Sequence, residues 1–133
     1  MAFNFQAKIQ ELQRTRQYLP ILVGNQAKNH FLRGFRNGGF TDATLEPWAA
    51  RKKADKNPKP RAILVKTGHL RGSIRVKVAT FQKIEIGAYG IPYAVYHNQG
   101  VGKMPKRKFI GESKTLNRNI RALINREFIK ILR

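Results

Sequence analysis

The chain has no cysteine in its 133 residues. It can therefore form neither a disulfide framework nor a thiolate metal site, and it has no thiol nucleophile. Acidic residues are scarce as well, with seven Asp and Glu against three His. Scattered as they are, they leave little material for a metal cage or a general acid/base pair, and no cofactor is expected. No apolar run approaches the roughly 20 residues that span a bilayer. The opening MAFNFQAKIQ lacks the basic start and apolar core of a signal peptide. The expectation is a soluble protein, made in a cytoplasm, with no membrane partner.

What the sequence has in excess is positive charge. Its 27 Lys and Arg give a formal net charge of +20. Such a field costs stability through self-repulsion, so it points to partners: nucleic acid, an anionic surface or an acidic protein. The chain should fold despite it. Leu, Ile, Val and Phe number 36, above the share at which disorder becomes the default. The length suits one domain, 1–133, and leaves no room for a second.

The periodicities predict an α+β fold. N-terminal helices are expected over 3–36: one with Phe5, Ile9 and Leu12 at helical spacing, then, after an interruption at Pro20, a second from about Leu19 to Arg36. The second carries Val23, Ala27, Phe31 and Phe35 in an i, i+4 row, and Asn37-Gly38-Gly39 should end it. Residues 37–61 read as turn-rich, with a short helical candidate at Ala49 to Ala54. Sheet and loops are expected over 62–112. Ile74, Val76 and Val78, then Ile84, Ile86 and Ala88, alternate with polar residues. They predict an antiparallel hairpin over about 73–88, with Ile74, Val76, Val78, Ile84 and Ile86 in the core. Ile63, Leu64 and Val65 suggest a short third strand over about 62–66. Residues 99–111 should be an irregular loop. From 113 to 132 a long helix is expected, capped by Ser113, with Leu116, Ile120, Leu123, Ile124, Phe128 and Ile131 on one face.

Catalytic motifs do not assemble. His97-Asn98 superficially resembles part of a His-Asn-His nuclease motif. However, the nearest other histidine is His69, and no carboxylate lies between Glu85 and Glu112, so metal-dependent hydrolysis lacks its ligands. A histidine bonded at the end of a short helix is the simpler reading. Ser73 and Ser113 sit in no nucleophile elbow. Gly100-Val101-Gly102-Lys103 is only a fragment of a phosphate loop. The chain is not expected to be an enzyme.

Basic clusters recur at Arg51 to Lys53, Lys56 to Arg61, Arg71 to Lys77 and Lys103 to Lys108, and along the last helix. Phosphate attraction needs only such charge. With no recognition helix, zinc finger or aromatic platform, contact with DNA should ignore sequence. The DNA-facing candidates are Arg75 and Lys77 on the strand's outer face, and Lys114, Arg118 and Arg121 on one face of the last helix. Trp48, the single tryptophan, fits either a core or an interface. Pro105, Arg107, Phe109 and Ile110 mark an assembly loop, with Phe109 inserting into this subunit or a neighbour.

The string Ile63-Leu64-Val65-Lys66-Thr67-Gly68-His69-Leu70-Arg71-Gly72-Ser73-Ile74 resembles the core motif of the phage virion morphogenesis, or tail-completion, family. In order follow Ile84-Glu85-Ile86-Gly87, then Tyr93-Ala94-Val95-Tyr96-His97-Asn98-Gln99-Gly100, then Pro105-x-Arg107-x-Phe109-Ile110-Gly111. Upstream, Trp48 before a basic stretch fits the same pattern. The resemblance covers about 45–112, with Lys108 where a second proline is common. It implies structural roles for Thr67, Gly68, Leu70, Ser73, Tyr93, His97 and Gly100. It also implies a non-enzymatic virion protein of the phage neck or tail, assembled in the host bacterial cytoplasm. Such a subunit would form a homo-oligomeric ring, would contact other neck, portal-adaptor or tail proteins, and would surround genomic DNA that it contacts non-specifically. The alternative is a free, sequence-independent basic nucleic-acid-binding protein.

Overall fold

The computed structural model describes residues 4–51, 63–65 and 68–133. Along them run α1 (Phe5–Asn37), β1 (Gly39–Thr41), β2 (Leu45–Pro47), α2 (His69–Gly72), β3 (Ile74–Ala79), β4 (Ile84–Ala88), α3 (Ala94–Gln99) and α4 (Lys114–Leu132). The strands pair as two separate antiparallel sheets, β1–β2 and β3–β4. The class is α+β. No helix among the described residues is long and apolar enough to cross a membrane.

The N-terminal region departs from expectation. One helix of 33 residues runs straight through Pro20, in place of two helices meeting there. A mid-helix proline forfeits a backbone hydrogen bond and crowds the preceding turn. Tertiary packing outweighs that cost here, because Thr15, Leu19 and Pro20 are all buried. Next to them the Tyr18 hydroxyl donates to Glu127 of α4 at 3.0 Å. The helix starts at Asn4, whose side chain accepts from the Gln6 N–H. It stops at Gly38, whose φ of 71° few other residues adopt at low cost.

The expected row Ala27, Phe31 and Phe35 is buried, with Val23 half-buried above it. Phe35 packs with Trp48, Leu70, Ile74, Ala94 and Phe109 in one cluster. Ala27 and Phe31 pack with Phe40 and Leu116 in another. Ile86 and Ile110 touch both clusters, which makes the core continuous across the β3–β4 hairpin and the 99–111 loop.

Two further expectations are corrected. The turn-rich stretch contains the β1–β2 hairpin, in which Phe40 pairs with Glu46; three-residue strands are too short to show alternation. Its helical candidate does not appear at Ala49 to Arg51, which are irregular, and residues 52–54 lie outside the described residues. Ile63 and Leu64 form a turn, Val65 is irregular and none of the three is in a strand; Leu64 has a left-handed φ of 65°, and residues 62 and 66 lie outside the described residues. All three still pack on the first cluster. Burial explains their apolar character without pairing.

The main hairpin forms where alternation places it, but its inward face is uneven. Val76 pairs with Ile86, whereas Val78 pairs with Glu85, because a bulge lies between Val76 and Val78. An inserted residue of this kind breaks the period of two. Of the five positions expected in the core, only Ile74 is fully buried; Val76, Val78 and Ile86 are half-buried, and Ile84 is exposed.

α4 follows the prediction closely. The Ser113 hydroxyl accepts from the Leu116 N–H and donates to the Thr41 carbonyl at 2.6 Å. The Asp42 carboxylate accepts from the Lys114 N–H at 2.8 Å, favourable against the helix dipole. Leu116, Leu123 and Ile131 are buried and Ile120 and Ile124 half-buried, but Phe128 remains 40% exposed. Glu127 is the buried residue that the apolar pattern misses. It accepts from Tyr18 and from the Lys130 ammonium, the latter at 3.1 Å. These bonds, the Lys130 bond first, hold its carboxyl below the usual range despite burial.

Candidate functional site

The segments that carry the family resemblance are far apart in sequence and close together in space. Gly68, at φ 78°, turns the chain into α2. Leu70 is buried there, and Ser73 closes the turn by donating to the Leu70 carbonyl at 2.6 Å. Thr67 lies outside the described residues. α3 follows the β3–β4 hairpin, beginning after Tyr93 and ending at Gly100. Gly100 is required twice over. Its φ is 75°, and a Cβ would stand 2.9 Å from the Lys106 backbone nitrogen.

The 99–111 loop is irregular, as expected, with a single bridge between Val101 and Met104, and side chains tie its second half down. Asn98 Oδ1 accepts from the Phe109 and Ile110 N–H groups at 2.9 and 3.1 Å. The Arg107 N–H donates to the His97 carbonyl at 2.8 Å. The Arg107 guanidinium donates to the Ala49 carbonyl at 2.9 and 3.0 Å and reaches Ala50 at 3.3 Å. From the other side, the Trp48 indole N–H donates to the Lys108 carbonyl at 2.7 Å. Phe35 sits between the two anchors, edge-on to Trp48 at 5.4 Å and 5.8 Å from Phe109. Trp48 and Phe109 are 7% and 3% exposed. Both therefore insert into this chain's own core. Pro105, Arg107 and Ile110 are half-buried.

Between these segments is a cavity of about 330 Å³, lined by Arg51, Leu64, Gly68, Leu70, Tyr93, His97 and Arg107. Tyr93 stands edge-on to His97 at 5.6 Å. The His97 Nδ1 is buried and makes no hydrogen bond among the described residues. Burial, reinforced by the Arg107 charge, lowers the His97 pKa, which favours a neutral ring. Among the described residues no carboxylate lines the cavity, and no group of three metal-ligating side chains occurs. The polar atoms of Ser73, Asn98 and Arg107 go to main-chain groups, the pattern of a clamp.

The five DNA-facing candidates are all exposed. Arg75 and Lys77 lie over the Tyr89 ring at 5.4 and 5.3 Å. Lys114, Arg118 and Arg121 share the outer face of α4, apart from that pair. Sequence reasoning did not single out Asn98 as a clamp or Asp42 at the α4 N-terminus. It also missed a basic cleft of about 530 Å³, lined by Lys28, Asn29, Leu32, Arg33, Arg36, Arg71, Gly72 and Ile74. The signal was present on α1, where Lys28, Leu32 and Arg36 follow one position behind the buried row Ala27, Phe31 and Phe35. Comparison of the chain with protein families, curated proteins and solved structures finds no match.

Proposed function

We propose that this chain is a structural protein of a phage virion, a ring-forming subunit of the neck or tail-completion region that joins head and tail around the DNA channel. The observation that carries the reading is the clamp. Gly68, Leu70, Tyr93, His97 and Arg107 of the motif segments line one cavity, and Trp48, Asn98 and Arg107 bond to carbonyl and amide groups of neighbouring segments. Side chains committed in this way shape a scaffold, so the reading is non-enzymatic.

Two surface features support assembly. Leu12, Thr15, Arg16, Leu19, Phe81 and Phe128 line an apolar groove of about 400 Å³, whose Leu12, Phe81 and Phe128 are 45%, 59% and 40% exposed. Apolar surface of this kind marks an interaction site, and a second copy of the chain would cover it. The net charge of +20 suits a channel that carries a polyanion. Charge alone equally favours the second reading, a free basic nucleic-acid-binding protein. Light scattering and electron microscopy of the purified chain separate the two. Closed rings with a central opening are expected; a monomer or dimer at every concentration and salt would favour the second reading.

A further inference from the structure

We propose that the cleft between α1 and the α2–β3 corner is a phosphate-binding cradle for the backbone of duplex nucleic acid. The identity of the polyanion rests on the reading above; the chemistry of the cleft does not. Four cations, Lys28, Arg33, Arg36 and Arg71, line a cavity of about 530 Å³ that has no acidic side chain among its described lining residues. Among the described residues none of the four is in an ion pair, the three pairs being Lys8–Glu11, Lys83–Glu85 and Lys130–Glu127. Arg33, Arg36 and Arg71 are exposed, and Leu32 and Ile74 give the cleft an apolar floor. Uncompensated guanidinium groups on two walls fit phosphate oxygens, which they can bind in a bidentate manner.

A simpler role covers only part of this. Cations near a helix C-terminus stabilise its dipole, which accounts for Arg36 in the last turn of α1. It does not account for Arg71, which comes from a different element. The spacing suits a strand of nucleic acid. Lys28 to Arg36 covers about 12 Å of helix at 1.5 Å per residue, while each DNA strand carries a phosphate every ~3.4 Å of axis. Several phosphates therefore fall within reach of one wall. The candidates on α4 come from a single helix, and Arg75 and Lys77 lie over Tyr89.

The test is a salt titration of the full chain with a mixed-sequence 30-base-pair duplex, read by fluorescence anisotropy. The variants are Arg33→Gln/Arg36→Gln/Arg71→Gln and, as control, Lys114→Gln/Arg118→Gln/Arg121→Gln. All six side chains are exposed, so both should fold, and circular dichroism checks it. The cleft variant should lose affinity by at least about tenfold, with the log–log salt slope shallower by roughly 2.7 for three lost contacts. The α4 variant should change much less. Lysine at the three cleft positions should restore most of the slope. Equal losses in both variants, or a larger one on α4, would overturn the cradle. So would cleft-dependent binding to phosphatidylglycerol vesicles or polyglutamate in preference to the duplex. Light scattering on the same samples separates the two readings. Rings whose cleft variant binds DNA like wild type refute the cradle alone. A monomer whose cleft variant loses DNA refutes the ring alone.

Discussion

Asn98 shows how much one side chain can fix in a loop with almost no regular structure. Its Oδ1 accepts from two successive backbone N–H groups, those of Phe109 and Ile110, and both residues are built into the core. Asn98→Ala leaves both donors without that partner in a part-buried place. It should cost about 1–3 kcal/mol in urea unfolding. Asn98→Asp keeps the acceptor and should stay within about 1 kcal/mol of wild type. Equal loss in both variants would show that the amide N–H groups matter and the acceptor does not. The neighbouring His97 gives a pH dependence. Its pKa is lowered in the folded chain by burial and by Arg107, so below the ordinary value of about 6.5 the unfolded chain takes up the proton first. Stability should therefore be fully present above that value and decline as pH falls towards the folded pKa. His30, lowered mainly by burial, acts with the same sign. Urea midpoints at pH 8 and pH 5 should converge in His97→Gln relative to wild type; an unchanged difference would remove His97 from the account.

The elements were legible in proportion to how regularly their apolar residues repeat. α4 shows its period of 3.6 and a Ser113 cap, and its bounds and cap match those expected. The β3–β4 hairpin shows its period of two and was located, but the bulge between Val76 and Val78 has no composition signal, so the depth of each inward residue was not. Alanine at Ile74, Ile86 and Ile84 tests that depth. Ile74, 2% exposed, should cost about 2–4 kcal/mol. Ile86, half-buried but touching both core clusters, should cost less, and Ile84, 36% exposed, least. A larger loss at Ile84 than at Ile74 would mean that the bulge lies elsewhere. Other elements depended on contacts distant in sequence. Pro20 marked a break that packing against α4 overrides, and Ile63 to Val65 looked like a strand because buried turns and strands draw on the same residues. Glu127 interrupts an apolar face, and one of its two partners, Tyr18, is 109 positions away. The candidate site followed the same rule. Its segments were identifiable in order along the chain, whereas the bonds of Trp48 to Lys108 and of Arg107 to Ala49 join positions that no local pattern connects. The basic cleft needed the approach of α2 to α1.

At the scale of the whole molecule, charge and apolar surface pull in opposite directions. Each copy carries +20, so bringing copies together accumulates like-charge repulsion. The groove of Leu12, Leu19, Phe81 and Phe128 favours association through burial, a contribution that salt does not screen. Raising salt shortens the Debye length from about 10 Å at 0.1 M towards about 3 Å at 1 M and so removes repulsion while leaving the apolar contact intact. Duplex DNA neutralises the same charge by another route, and linked copies then bind it with avidity. Self-association should therefore be weak at low salt and stronger at high salt. At low salt it should be restored by duplex DNA of any sequence. Leu12→Glu, at an exposed position, should abolish association under all three conditions while leaving the unfolding midpoint nearly unchanged, since surface substitutions usually cost within about 0.5 kcal/mol. Sedimentation velocity at 0.05 M and 0.5 M salt, with and without duplex, measures each case. Association that weakens as salt rises would mean that ion pairs and not the groove join the copies. A Leu12→Glu protein that assembles like wild type would place the interface on another face.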